Sequence, residues 1–272
     1  MTSAFSAQQI AVFCRAPAQT VAIHIVAETG STNADLLAQL DTLIAPTLLI
    51  AEKQTAGRGR AGRVWHAAPH SALTFSLAWK FKLPMQGLLG LPLAVGVAMA
   101  QALAECGVSV QLKWPNDMLK DGKKLGGILI ETASANEKSH DQAVWAVIGI
   151  GLNVMLPDEL HALLGGAATD APALMQQDRN HVMAILLNHL SHALHQFEQE
   201  GFAAFVARWN ALHAYADQTV VISSHGQNLH EGIAKGVDRI GRLMLESSSG
   251  TVSVMAGDVS LRLHLHPTTG KD

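Results

Sequence analysis

Two stretches, residues 125–132 and 144–152, are apolar at nearly every position, as strands are when both faces of the middle of a sheet are covered. A chain with such a pair must layer helices against a sheet, and the rest of the sequence supplies the material. Further strands are predicted over residues 21–27, 46–51, 73–79 and 108–114, and helices over 34–43, 88–104, 180–200 and 203–215. The apolar run 87–100 contains Pro92 and stops at Gln101 and Glu105. It falls short of the roughly 20 apolar residues a membrane helix needs, so it reads as a core helix. Beyond Tyr215 the texture changes to short β-like pieces at 219–222, 229–234, 243–246, 251–254 and 259–263. Gly, Ser and Asp turns separate them, as in a small, separable barrel. The expected fold class is α+β, a mixed sheet packed with helices over residues 1–217 and a small β-barrel over residues 218–272.

Composition narrows the functional classes. With 49% hydrophobic and only 15% charged residues among 272, the chain is globular rather than disordered. A net charge of −3 gives no general field for nucleic acid or anionic membrane, so any anion site must be local. Cys14 and Cys106 match no metal or redox spacing. Residues 1–10 lack a basic stretch followed by an apolar run, so no secretory signal is expected and the cytoplasm is the expected compartment.

Residues 52–70 show neither helical nor strand period and carry several cations; an unstructured stretch of that length inside a compact domain is usually functional. Its centre is Gly57-Arg58-Gly59-Arg60-Ala61-Gly62-Arg63, followed by Trp65. The embedded G-x-G-x-x-G is not a dinucleotide fingerprint, because no helix opens after it and no acid occurs between Glu52 and Glu105. Glycines that let amides fold round a ligand, with guanidinium groups suited to phosphate or carboxylate, point to anion binding. A solvated basic loop or an RNA contact is the alternative. In Lys113-Trp114-Pro115-Asn116-Asp117, Pro115 stops a strand and the next two residues sit in a turn, which alone is more often a plain hairpin. Lys124 precedes Gly126-Gly127 at the mouth of a central strand, where missing Cβ atoms admit a ligand. Gly149-Ile150-Gly151-Leu152-Asn153 puts two bare positions on one sheet face, which alone more often marks tight helix packing. No Walker A sequence occurs. His189, His192 and His195 recur at helical spacing without a nearby cysteine or acid pattern and read as a solvated helix face, so no metal-ligating set is expected. Trp114, Trp145 and Trp209 read as core or sheet-edge aromatics.

Taken in order, Ser31-Thr32-Asn33, Gln54 with the 57–63 loop and Trp65, Lys113-Trp114-Pro115-Asn116-Asp117, Lys124-Leu125-Gly126-Gly127-Ile128-Leu129-Ile130-Glu131 and Gly149-Ile150-Gly151-Leu152-Asn153 resemble the catalytic domain of the biotin–protein ligases. Val259-Ser260-Leu261-Arg262 resembles the close of that family's SH3-like barrel. The resemblance implies a class II synthetase-like domain, with biotin and ATP as substrates and Mg²⁺ accompanying the triphosphate. It implies that Ser31, Thr32, Asn33, Gln54, Gly57, Arg58, Gly59, Arg60, Lys124 and Gly127 hold biotin. Arg58, Arg60, Arg63, Trp65, Asn116, Lys124 and Asn153 would hold the nucleotide, with Lys124 and Arg60 at the reacting groups. The implied acceptor is a lysine of biotin carboxyl carrier protein. No specific DNA and no membrane are expected, and the resemblance leaves room for a homodimer. The chain departs from the family after Trp65, where His66-Ala67-Ala68-Pro69 replaces an aromatic followed by Ser-Pro. Ser31 also comes too early for a preceding helix-turn-helix, so the monofunctional type is expected. A lipoate or octanoate ligase of the same fold is the nearest alternative, and a nucleic-acid-binding regulator using the arginine loop is another.

Overall fold

The computed structural model describes residues 4–67, 71–134 and 143–264. A seven-stranded sheet is formed by β1 (Ala22–Val26), β2 (Thr47–Ala51), β3 (Ala72–Phe81), β4 (Gln111–Lys113), β5 (Asp117–Lys120), β6 (Lys123–Ser134) and β7 (Val144–Asn153). The strand order is β1-β2-β3-β7-β6-β5-β4, with β1 and β2 parallel and the other pairs antiparallel. The two apolar runs lie side by side near the centre, in register from Gly126 opposite Leu152 to Ser134 opposite Val144.

Strand alternation feeds two layers. Leu48, Ile50, Leu77 and Ile148 point to one side, while Leu49, Ala78 and Val147 point to the other. The second side is covered by α2 (Thr32–Gln39) through Leu36, with Leu40 just beyond it. The first is covered by α3 (Leu91–Glu105), with α5 (Arg179–Glu200) packed on it and α1 (Ala7–Phe13) packed on α5. Residues 85–105 are apolar enough to cross a membrane by composition. Every α3 residue from 93 to 100 is nevertheless buried against protein, as a helix apolar all round must be inside a core.

Several elements differ from expectation. The strand expected at 108–114 shortens to β4 because residues 106–108 close α3, with Gly107 left-handed and the Val108 amide donating to Leu103. The helix expected over 203–215 divides into a 3₁₀ turn and the short α6 (Val206–Ala211). Helix α1 and α4 (Asp158–Leu163) were not visible in the pattern, since α1 buries only Ile10 and α4 buries nothing.

A second, antiparallel sheet follows: β8 (Thr219–Ser224), β9 (Gln227–Val237), β10 (Leu243–Ser247), β11 (Gly250–Val254) and β12 (Ser260–Leu263), in the order β11-β10-β9-β8-β12. Bulges near Leu243 and Ser223 bend it, consistent with a small SH3-like domain. Its inner residues Val220, Ile222, Leu243, Leu245 and Leu261 belong to the same apolar cluster as the main core. The Trp114 indole, 1% exposed, donates to the Gly241 carbonyl at 3.1 Å and ties the two sheets together.

Candidate functional site

A cavity of about 720 Å³ opens between the central strands, the 52–67 segment and strands β8 and β12. Its polar wall begins at the N-terminus of α2. Ser31 occupies the N-cap position, but its side chain makes no capping bond; the Thr32 amide donates instead to Oε1 of Gln54 at 2.8 Å. Gln54 is placed there because its chain segment prolongs β1 and β2. The Thr29 amide donates to Lys53, and the amides of Thr55 and Ala56 donate to Thr29 and Gly30. The start of the stretch read from sequence as structureless, residues 53–56, is therefore tied down, by partners too distant in sequence to leave a period.

Beside Gln54, Thr32 Oγ1 and Ser76 Oγ lie 2.6 Å apart, and Ser76 Oγ donates to Oδ1 of Asn33, also at 2.6 Å. Asn33 Nδ2 donates in turn to Glu131 at 2.8 Å, and Glu131 accepts from Arg58 at 3.1 Å. Gly149 makes this possible, since a Cβ there would lie 2.3 Å from Oδ1 of Asn33.

The charged wall adjoins the polar one. Arg58, Arg60, Arg63, Lys113, Lys124 and Arg262 all line the cavity. Lys124 Nζ sits 2.6 Å from one oxygen of Asp117, and Lys113 Nζ 3.7 Å from the other. Burial lowers the Lys113 pKa, with Asp117 opposing and the neighbouring cations adding to the fall. Burial likewise lowers the pKa of Arg60. Arg60 donates to Oδ1 of Asn116 at 3.0 Å and to the Gly257 carbonyl in the turn between β11 and β12. Asn116 is held from behind, its Nδ2 donating to Ile128 at 2.8 Å and its carbonyl accepting from the Ile128 amide. Residues 57–65 form a small hairpin, with the Trp65 amide donating to Gly57 and the Gly59 amide to Arg63. Ala61 and Gly62 at its tip have φ of 53° and 70°. The hairpin lays the Trp65 ring over Gly151, where a Cβ would come within 2.5 Å of the indole. Lys124 Nζ lies 5.8 Å from the ring centroid. The Cβ position of Gly127 is taken up by the folded Lys124 side chain, at 3.3 Å from Nζ.

The cavity thus gathers Ser31, Thr32, Asn33, Gln54, Arg58, Gly59, Arg60, Arg63, Trp65, Asn116, Lys124 and Gly127. Two expected residues stand off it. Gly57 is buried under the Trp65 backbone, whose carbonyl a Cβ would approach to 2.7 Å. Asn153 is buried behind the wall and donates to the Thr169 carbonyl at 3.1 Å. Sequence reasoning did not select Ser76, Lys113, Asp117 or Glu131 as site residues. Ser76 had left a signal, because Thr74 and Ser76 are polar two positions apart in the otherwise apolar run 73–79.

Uncharged hydrogen-bonding groups at one end and clustered cations at the other suit a ligand with a polar ring and a carboxylate, placed against a phosphate chain. Known proteins similar to the chain agree. The family model for biotin/lipoate A/B protein ligases matches residues 25–153, and that for the biotin protein ligase C terminal domain matches residues 217–262. The biotin--[acetyl-CoA-carboxylase] ligase of Mycobacterium tuberculosis is 36% identical over 250 residues, 87% of this chain and 88% of that protein. The bifunctional ligase/repressor BirA of Escherichia coli is 34% identical over 242 residues, 88% of this chain and 74% of that protein. The biotin protein ligase of Aquifex aeolicus, solved with biotin and ATP, superposes with a TM-score of 0.72 at 28% identity, covering 89% of this chain and 99% of that one. By its two matched domains and its likeness to these enzymes along most of its length, the chain belongs to the biotin protein ligase family.

Proposed function

We propose that the protein joins biotin to ATP as biotinyl-5′-adenylate and passes the biotinyl group to a lysine of biotin carboxyl carrier protein. The observation that carries this reading is the adjacency of the two walls: the Thr32–Gln54–Asn33 end meets Arg58, Arg60 and Lys124 within one cavity. A free carboxylate does not acylate an amine at neutral pH, because its leaving group would be oxide. In the first step a biotin carboxylate oxygen attacks the α-phosphorus and pyrophosphate leaves. In the second the acceptor's neutral amine attacks the acyl carbon, its proton is lost to solvent and AMP leaves.

Two anions must meet in the first step, and preorganised cations lower that barrier. In this reading Arg58, Arg60 and Lys124 surround the junction, and Gln54, Thr32 and Asn33 hold the ureido ring. Trp65, Asn116 and Arg63 face the nucleotide. Asn153 acts from behind the wall by pinning residues 169–171, and Gly57 by shaping the hairpin. Mg²⁺ would accompany the triphosphate, and its chemistry there would be to spread phosphate charge. Among the described residues no group of three or more His, Cys, Asp or Glu could cage it, so Asp117 or Asp258 on the wall would complete a shell made mainly of phosphate and water.

The reading includes residues 1–217 as the catalytic domain and 218–272 as the C-terminal one, the cytoplasm as compartment and no sequence-specific DNA binding. It also allows a homodimer through β1, because the outer edge of β4 already pairs with residues 212–214. Pyrophosphate release from ATP tests the whole: it is expected with biotin and not with lipoate or octanoate. Release with lipoate alone would assign the chain to the other branch of its family, and release with none would remove the reading.

A further inference from the structure

The hydroxyl groups at the polar end allow a proton count. Three oxygen–oxygen contacts link four groups: Gln54 to Thr32 at 3.1 Å, Thr32 to Ser76 at 2.6 Å and Ser76 to Asn33 at 2.6 Å. Two hydroxyl protons serve them. The Asn33 amide is fixed, because its Nδ2 donates to the Glu131 carboxylate at 2.8 Å and to the Leu129 carbonyl at 3.3 Å. Its Oδ1 therefore faces Ser76 and can only accept. The Ser76 proton is committed to Asn33, so the proton between Ser76 and Thr32 must be that of Thr32. The amide of Thr32 already satisfies Oε1 of Gln54 at 2.8 Å, so that oxygen does not need the hydroxyl. Nothing is left for Thr32 Oγ1 to donate to a ligand, and only lone pairs face the cavity.

We infer that Ser76 is a specificity-determining positioning residue: anchored by Asn33, it takes the Thr32 hydroxyl proton and makes Thr32 an obligate acceptor, which selects a ligand bearing an N–H at that point. Ser76 is fully buried and Thr32 is 3% exposed, so neither hydroxyl can turn to bulk water for an alternative partner. The polarity of the site is set by Glu131 and Leu129 through Asn33 and Ser76, before any ligand enters. A ring with oxygen in place of the N–H would set lone pair against lone pair in a buried place, and a site built to bond an N–H rejects such an analogue strongly.

The inference rests on the proposed ligand, biotin, and is tested by calorimetric binding without ATP. The probes are biotin and the two isomeric cyclic-carbamate analogues in which one or the other ring N–H is replaced by oxygen. Wild-type protein is expected to bind one isomer at least about 100-fold more weakly than biotin. In Ser76→Ala the Thr32 proton is released to turn toward Gln54 or the ligand, and that ratio should fall to about 10-fold or less. Glu131→Gln retains an oxygen to accept from Asn33, so its ratio should stay near wild type even where affinity drops. Failure of wild type to bind biotin would overturn the proposed function. Biotin binding without discrimination against either isomer, or an unchanged ratio in Ser76→Ala, would overturn the role of Ser76 alone. Should the buried Ser76→Ala protein not fold, wild type alone still overturns the role of Ser76 if it discriminates against neither isomer.

Discussion

Lys124 reaches over Gly127 to within 2.6 Å of Asp117, and Lys113 stands 3.7 Å from the same carboxylate. Asp117 thus aims the ammonium while keeping Lys113 as a second counter-charge, so removing Lys124 leaves no isolated anion. Lys124→Ala should therefore fold normally and fail in chemistry. Adenylate formation is expected to slow about 10²–10³-fold, the scale of losing one preorganised charge at a reacting oxygen. Biotin affinity should change by far less, because the charge that Lys124 meets is greatest in the transition state. Comparing single-turnover pyrophosphate release with biotin titration checks this, and equal losses would contradict it. Two glycines on neighbouring strands make a sharper contrast. A Cβ at Gly126 would lie 2.6 Å from the Gly151 carbonyl, whereas a Cβ at Gly151 would meet the Trp65 indole at 2.5 Å. Backbone in a central sheet cannot yield, but an indole on a hairpin can swing away. Gly126→Ala should then lower unfolding stability by about 1–3 kcal/mol. Gly151→Ala should keep its stability and lose nucleotide affinity, and thermal melts with ATP titrations would separate the two. Glycine spacing on β7 was legible in the sequence; what fills the space was not, because Asn33 and Trp65 come from distant segments.

Elements were read correctly where they are buried, as in β6, β7, α3 and α5, because burial writes a continuous apolar run or an apolar face into the residues. They were missed where the bonding partners are remote. The 52–67 segment owes its form to Thr29, Gly30 and its own hairpin, and β5 exists because it pairs on both sides with β4 and β6. The candidate cations were legible for a different reason, since the glycine–arginine string needs no tertiary context to declare an anion loop. Its anchor was not legible: Arg60 bridges Asn116, in the turn between β4 and β5, and the Gly257 carbonyl, in the turn between β11 and β12. That bridge holds the hairpin down over the cavity, with the guanidinium at the place assigned to the adenylate phosphate. Arg60→Gly is expected to loosen both grips. A bond to a charged group contributes about 1.5–3 kcal/mol, so the adenylate should leave about 10–150-fold faster. Arg58 and Lys124 remain, and the mixed anhydride still forms. A streptavidin blot of bystander albumin, at matched rates of adenylation, should show stronger labelling by the variant. Equal labelling would mean that another group retains the intermediate.

Across the whole molecule the two sheets share one core, so the C-terminal part is less separable than its β-rich texture suggests. Trp114 would lose its Gly241 acceptor if residues after 217 were removed, and the core would lose Val220, Ile222, Leu243, Leu245 and Leu261. His213 lies at this joint. Its flanking backbone pairs with Leu112 at the edge of β4, and its ring stacks on Trp209 with centroids 4.7 Å apart. It is 4% exposed, and both ring nitrogens lack a hydrogen-bond partner among the described residues. Burial pushes its pKa down to about 4 from 6.5, with Asp217 opposing only in part. The sign follows from proton counting. Between those values the unfolded chain binds a proton that the folded one refuses, so stability rises with pH across the window and is lost as pH falls from 6.5 toward 4. By the lower end the loss attributable to this one group is about 3 kcal/mol. His213→Phe keeps a ring against Trp209 and has nothing to titrate. Urea unfolding of both proteins at about pH 7 and about pH 4 should show a fall that is smaller in the variant by about that amount. A parallel fall in both would mean that the imidazole takes up its proton while still folded, through an opening of the joint between the sheets that leaves the rest of the core intact.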